Sequence, residues 1–245
     1  MREFLIVAGV LWGAGAGLLL PRAAHRFSVD PGQPWSAACP AGHPITGPLA
    51  GWLGPARCAG TCGGYGPSAV VVATVTALVC GALAAATGPR PELAVWLLTA
   101  PVAVLLALID HRVHRLPDVL TLPLAAAVLA LLGGAAALPA DAGSWPTALL
   151  GGVALSAAYL ALFLLNPAGM GFGDVKLALA LGTALGWYGW PILVAGGCAG
   201  LFYGALYGLG MVVLRGAGRK SAIPLGPFMI GGAFTGLLLG AAATA

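Results

Sequence analysis

Charge is what this 245-residue chain lacks. Its 11 lysines and arginines and 7 aspartates and glutamates make up 7% of it, against about 25% in an ordinary soluble domain. So few ionised side chains leave most of the surface without a means of hydration, which excludes a soluble globular enzyme. A disordered chain is excluded too, since disorder goes with low hydrophobicity. The net charge of +4 is scattered along the chain; it forms no basic patch for phosphates, and no nucleic-acid partner is expected. Cysteine is scarce as well: there are five, and Cys80 and Cys198 lie deep in apolar runs, which argues against a disulfide scaffold. His111 and His114 come without a Glu-x-x-His pattern, no serine sits in a Gly-x-Ser-x-Gly elbow, and no phosphate-binding glycine fingerprint occurs.

Apolar residues fill the space that charge leaves. They account for 60% of the chain, mean hydropathy is +0.96, and a helix crosses the hydrocarbon layer with about 20 of them in succession. Runs of this kind cover residues 4–20, 68–87, 93–109, 119–138, 147–165, 175–188, 190–214 and 223–243, the sixth being the shortest. The first follows Arg2 and continues unbroken to Pro21-Arg22, so it reads as an uncleaved anchor rather than a secretory signal. Lysine and arginine set the orientation. With the N-terminus outside, Arg22, Arg26, Arg57, Arg112, Arg115, Lys176, Arg215, Arg219 and Lys220 all fall in inner loops, and only Arg2 and Arg90 fall outside. The expected fold is an all-α polytopic membrane protein of about eight transmembrane helices. It divides into a first transmembrane helix (1–21), a cytoplasmic loop (22–67) and a membrane-embedded core (68–245). The loop is rich in proline and glycine, and no strand pattern or helical period stands out in it. Glycine pairs such as Gly13/Gly17 and Gly204/Gly208 permit close helix packing, but 39 glycines produce such pairs by chance.

With only seven acids, each can be weighed. Glu3, Glu92 and Asp141 fall outside beside span ends, and Asp30 falls in the long inner loop; all four read as solvated surface. Asp110 closes the third run in Ile109-Asp110-His111-Arg112, and Asp174 opens the sixth in Gly169-Met170-Gly171-Phe172-Gly173-Asp174-Val175-Lys176. Ionisable groups at membrane depth are costly and usually mark function, and the topology puts these two at the same, inner, leaflet. Two carboxyls within hydrogen-bond reach share one proton. The ionised member then takes a proton from an attacking water while the neutral member protonates the carbonyl oxygen or the leaving amine. Glycines at 169, 171 and 173 let the backbone turn tightly and approach an extended substrate. Two other readings stay open on these residues alone. Asp174 is a plain helix cap and Asp110 an ion-pair partner of Arg112 and Arg115, or the chain is a small proton-coupled transporter whose solute uptake depends on the same acids. Asp118 reads as the cap of the fourth helix. Lys176 and the basic inner loops are candidate contacts for lipid headgroups, with positive-inside topology the plainer explanation.

These segments resemble the type IV prepilin peptidases, membrane aspartic proteases of the GxGD class. Ile109-Asp110 with Leu116-Pro117-Asp118-Val119-Leu120-Thr121-Leu122-Pro123 is similar to the family's first aspartate segment. Gly169 through Leu177 is similar to its GxGD segment, and Ile223-Pro224-Leu225-Gly226-Pro227-Phe228 resembles a motif near its C-terminus. The likeness runs in order over roughly 93–235. It implies that Asp110 and Asp174 are catalytic, with Gly171, Gly173 and Lys176 as substrate-binding or structural support. It also implies a prepilin or pseudopilin precursor as substrate, cut at the cytoplasmic face of the bacterial inner membrane after a glycine that separates a short basic leader from a hydrophobic helix. Proteolysis of this kind uses no cofactor.

The N-terminal loop departs from the family pattern. Many bacterial members carry two Cys-x-x-Cys pairs there and also methylate the new N-terminus. Here Cys39-Pro40-Ala41-Gly42-His43 has no second cysteine, and Cys58-Ala59-Gly60-Thr61-Cys62 has three intervening residues. Cys39, His43, Cys58 and Cys62 form a candidate zinc set, since a structural site takes four ligands; the plainer expectation is a degenerate loop without metal. S-adenosylmethionine enters only if methylation is retained, and Asp30 is the one acid of the loop that stands out for it.

Overall fold

Long apolar runs separated by short polar breaks become helices because each run satisfies its own backbone in lipid. The computed structural model describes residues 1–30, 32–58, 63–167, 169–215 and 224–244; the Cys62, Ile223 and 216–222 parts of the expectations above lie outside them. The described residues form α1 (Arg2–Phe27), the short turn α2 (Pro48–Gly51), α3 (Ala69–Thr87), α4 (Glu92–Val113), α5 (Asp118–Ala136), α6 (Trp145–Leu165), α7 (Phe172–Gly186), α8 (Trp190–Arg215) and α9 (Gly226–Ala243). Seven of them, all but α2 and α7, are long and apolar enough to cross a membrane, and the chain is a multi-pass membrane protein. The sixth expected run is the exception. At 15 residues, α7 is about 22 Å long, and it runs from Asp174 beside Asp110 to the turn whose Trp187 lies beside Glu92. It lies buried among α5, α6, α8 and α9.

Glycine sets the closest helix contacts. A Cβ on Gly13 would lie 2.5 Å from the Thr76 carbonyl oxygen, and one on Gly17 would lie 2.6 Å from Ala73 Cα, so α1 and α3 touch backbone to backbone. Gly151 against Gly186 joins α6 to α7, and Gly196 and Gly200 against Gly232 join α8 to α9 in the same way. The Gly13/Gly17 pair is therefore an interface and not a coincidence of composition. Gly204 is different, with only loose contact to Leu225 and Phe228.

The first helix does not stop at residue 20. It continues through Pro21 to Phe27 because its last turns have partners in the following loop. Arg22 donates to the carbonyls of Thr46, Leu53 and Pro55. Arg26 donates to Ala50 O and stacks 4.1 Å above the Trp52 ring. The loop wraps this charged stub. Phe27 packs on Trp35 and Trp52, and two isolated antiparallel bridges join Ala38 to Pro44 and Arg57 to Gly64. No period announces these elements in the sequence because side chains reaching backbone carbonyls, rather than an apolar stripe, hold them.

Candidate active site

Asp110 stands in the last turns of α4 and Asp174 at the third position of α7. Both are buried, 4% and 6% exposed, and both line one cavity of about 480 Å³, within electrostatic reach of each other. Each carboxylate is held by an amide that a helix start leaves without a helical partner. Asp174 Oδ2 accepts from Gly171 N–H at 3.1 Å, the N-cap residue of its own helix. Asp110 Oδ2 accepts from Gly226 N–H at 2.9 Å, the first residue of α9. Asp174 is thus a capping residue, but one that shares a cavity with a second buried carboxyl from another helix. Asp110 makes no ion pair with Arg112 or Arg115 among the described residues; Arg115 donates instead to Asp30 O.

The glycines around the pair have separate uses. A Cβ on Gly173 would lie 2.9 Å from Leu116 Cβ, so its absence lets the start of α7 press against the α4–α5 connection. Gly171 offers its amide and borders the cavity. Lys176 Nζ lies 2.7 Å from Asp118 Oδ2, linking α7 to α5. This also corrects the expectation for Asp118, whose side chain makes no cap hydrogen bond and pairs with Lys176 instead. His114, in left-handed conformation at the end of α4, borders the cavity beside Arg115.

Sequence reasoning missed two residues of the site. Trp35, from the N-terminal loop, forms part of the cavity wall. Gly226 supplies the amide that fixes Asp110, and a Cβ there would lie 2.8 Å from Asp110 Oδ2. A glycine flanked by Leu225 and Pro227 at a helix start was the available signal for the second; nothing local marks the first.

The loop cysteines converge as well. Cys39 Sγ and Cys58 Sγ are 3.8 Å apart, and His43 Nδ1 lies 3.6 Å from the first and 3.5 Å from the second. Sulfur at about 2.3 Å and nitrogen at about 2.0–2.1 Å from a tetrahedral zinc ion would stand about 3.5–3.8 Å from one another. The three atoms therefore stand at the spacings of three corners of a zinc tetrahedron, and the Ala38–Pro44 bridge closes the turn that carries Cys39 and His43. Cys62, the fourth member of the candidate set, lies outside the described residues.

One acid falls in a different place from its expected one. Glu92 is not solvated surface but fully buried. Its Oε1 is 4.0 Å from Arg90 Nη1, and neither carboxylate oxygen has a hydrogen-bond partner among the described residues.

A family model described as the type IV leader peptidase family matches residues 96–209, a span that holds both aspartates. The chain is similar to the prepilin leader peptidase/N-methyltransferase of Aeromonas salmonicida, 36% identical over 213 residues that cover 83% of this chain and 71% of that protein. The protein of the same name from Aeromonas hydrophila matches with the same identity and coverage. The one from Pseudomonas aeruginosa is 32% identical over 216 residues, 84% of this chain and 72% of its own length. No solved structure matches the chain. Identity of this extent along most of both chains, with the two aspartates inside the matched segment, means that this protein belongs to the type IV leader peptidase family and is a protease.

Proposed function

We propose that the chain is an aspartic endopeptidase that removes the short basic leader of type IV prepilin-like precursors at the cytoplasmic face of the bacterial inner membrane, with Asp110 and Asp174 as its catalytic pair. The observation that carries this reading is the convergence of two buried carboxyls from separate helices on one cavity, each oriented by a backbone amide. Water bound between them attacks the scissile carbonyl carbon. The ionised carboxylate takes the water's proton and the protonated partner gives its own to the carbonyl oxygen. As the tetrahedral adduct collapses, the C–N bond breaks and the leaving amine takes a proton from the pair. Gly171 and Gly226 fix the carboxyls, and Gly173 and Lys176 seat α7 against its neighbours, so that the reacting atoms are presented in one geometry.

The orientation derived from lysine and arginine puts this end of the bundle inside, where the leader of a membrane-anchored precursor lies. Cys39, His43 and Cys58 would hold zinc as a structural ion that fixes the loop carrying Trp35, remote from the proton transfers. Proteolysis requires no cofactor. The names of the relatives include N-methyltransferase; S-adenosylmethionine would be the donor of that second activity, which a mass gain of one methyl on the new N-terminus would extend to this chain. The test is co-expression with a prepilin, followed by gel shift and mass spectrometry of the product. Wild-type protein should shorten the precursor by its leader, Asp110→Asn and Asp174→Asn should leave it full length, and an intact precursor in the presence of folded wild-type protein would end the reading.

A further inference from the structure

A second space of about 510 Å³ is lined by residues of α3, α4, α5, α7 and α9, among them His111 and Pro227, the residues that follow the hydrogen-bonded Asp110 and Gly226 in the chain. Its wall on α4 is a stripe of Trp96, Ala100, Ala103, Ala107 and His111, small in the middle and bulky at the ends. Apart from His111, Thr99 and the Trp96 indole, the lining carries no polar side chain. From Trp96 to His111 the stripe is about 22 Å long at 1.5 Å per residue, most of the depth of a hydrocarbon layer of about 30 Å.

We propose that this groove seats the hydrophobic helix of the precursor, the segment that begins just after the scissile bond. The inference rests on the leader-peptidase reading and says where its substrate lies. A lipid acyl chain fits an apolar groove too, but its occupancy has no reason to end at a catalytic group. This groove does so on both walls: His111 follows Asp110, and Pro227 follows Gly226. The polar cavity that holds both carboxyls is lined by Asp110 itself, the residue next to His111 of the groove. A precursor helix lying along α4 would therefore deliver the peptide bond at its N-terminal end to Asp110 and send its leader into the polar cavity. The alanine stripe leaves room for the large aliphatic side chains of such a helix. A shallower groove of about 310 Å³ between α6 and α8, bordered by Ala154 and Val194, has no such connection to Gly226 and serves as the control.

The test uses the full-length protein in membranes and two substrates, an anchored precursor and a water-soluble peptide that spans the leader and the cleavage site without the hydrophobic helix. Ala103→Trp, which fills the groove, should cut cleavage of the anchored precursor by about tenfold or more through KM while cleavage of the peptide changes by less than about twofold. Val194→Trp should alter neither. In an Asp174→Asn, Cys198→Ser background, Ala107→Cys should cross-link to a cysteine in the first turns of the precursor helix, and Val194→Cys should not. Wild-type cleavage of the anchored precursor by Ala103→Trp would overturn the proposal. So would an equal loss on both substrates, or cross-linking only from Val194. Failure of the wild type to cut either substrate would instead sink the peptidase reading beneath it.

Discussion

At one end of the bundle, Asp110 and Asp174 are buried yet border an open cavity, and each accepts a hydrogen bond from a backbone amide. At the other end, Glu92 is buried more completely, among Trp187, Ala142 and Arg90, and neither of its oxygens has a hydrogen-bond partner among the described residues. Arg90 beside it is turned toward Ala241 O and the Thr244 hydroxyl, pinning the end of α9. All three acids satisfy the rule that an ionisable group at membrane depth is worth noticing, but only two combine a partner carboxyl, orienting amides and access for a substrate. Burial alone marks an acid; convergence on a reachable space gives it chemistry.

The comparison can be broken most severely at the pair. Asp110→Asn or Asp174→Asn should lower leader cleavage by about 10³-fold or more, measured by mass spectrometry of released leader, whereas Glu92→Gln should stay within about twofold of wild type on the same assay. A loss at Glu92 equal to that at the aspartates would erase the distinction. Next in size, Gly226→Ala puts a methyl where Asp110 Oδ2 now lies 2.8 Å away. A displaced carboxyl should cost about 10–100-fold in kcat at unchanged protein level.

The loop extends the comparison to a third region. Cys39→Ser should abolish copurified zinc, which metal analysis would otherwise find at about one ion per chain, and should lower cleavage several-fold by loosening the segment that carries Trp35. Because thiolates and neutral imidazole are the ligands, zinc should be lost on acidification and regained as pH rises. Wild-type protein free of zinc at neutral pH would contradict the placement of Cys39, His43 and Cys58. Smallest of all, Lys176→Ala removes an ion pair whose Asp118 partner is largely exposed. Such a pair is worth about 0–1 kcal/mol, so the thermal midpoint should move slightly and cleavage by about twofold.

Much of this was legible in the sequence, for identifiable reasons. The long apolar runs and the scarcity of charge give the helices directly, and Asp110 and Asp174 stand out because so few acids compete with them. The boundaries slip where polar residues continue a helix: Arg22 and Arg26 read as the end of α1, but the carbonyls of Thr46, Pro55 and Ala50 receive them. Glu92 misled because a charge beside an apolar run looks solvated, while the tryptophan that buries it comes from a turn 95 positions later, after α7. Trp35 is invisible for a related reason, since its role exists only where distant segments meet, and the glycine at 226 shows in the sequence but its carboxylate partner does not. The irregular cysteine spacing reads as a degenerate loop, yet the ligand atoms of Cys39, His43 and Cys58 lie within 4.8 Å of one another.

The most direct measurement compares the two single asparagine variants with the double variant on an anchored precursor. If Asp110 and Asp174 act as one unit, either single substitution should lower cleavage nearly as far as both together. Substantial cleavage by either single variant, or losses that multiply in the double, would mean that the two carboxyls do not share the reaction.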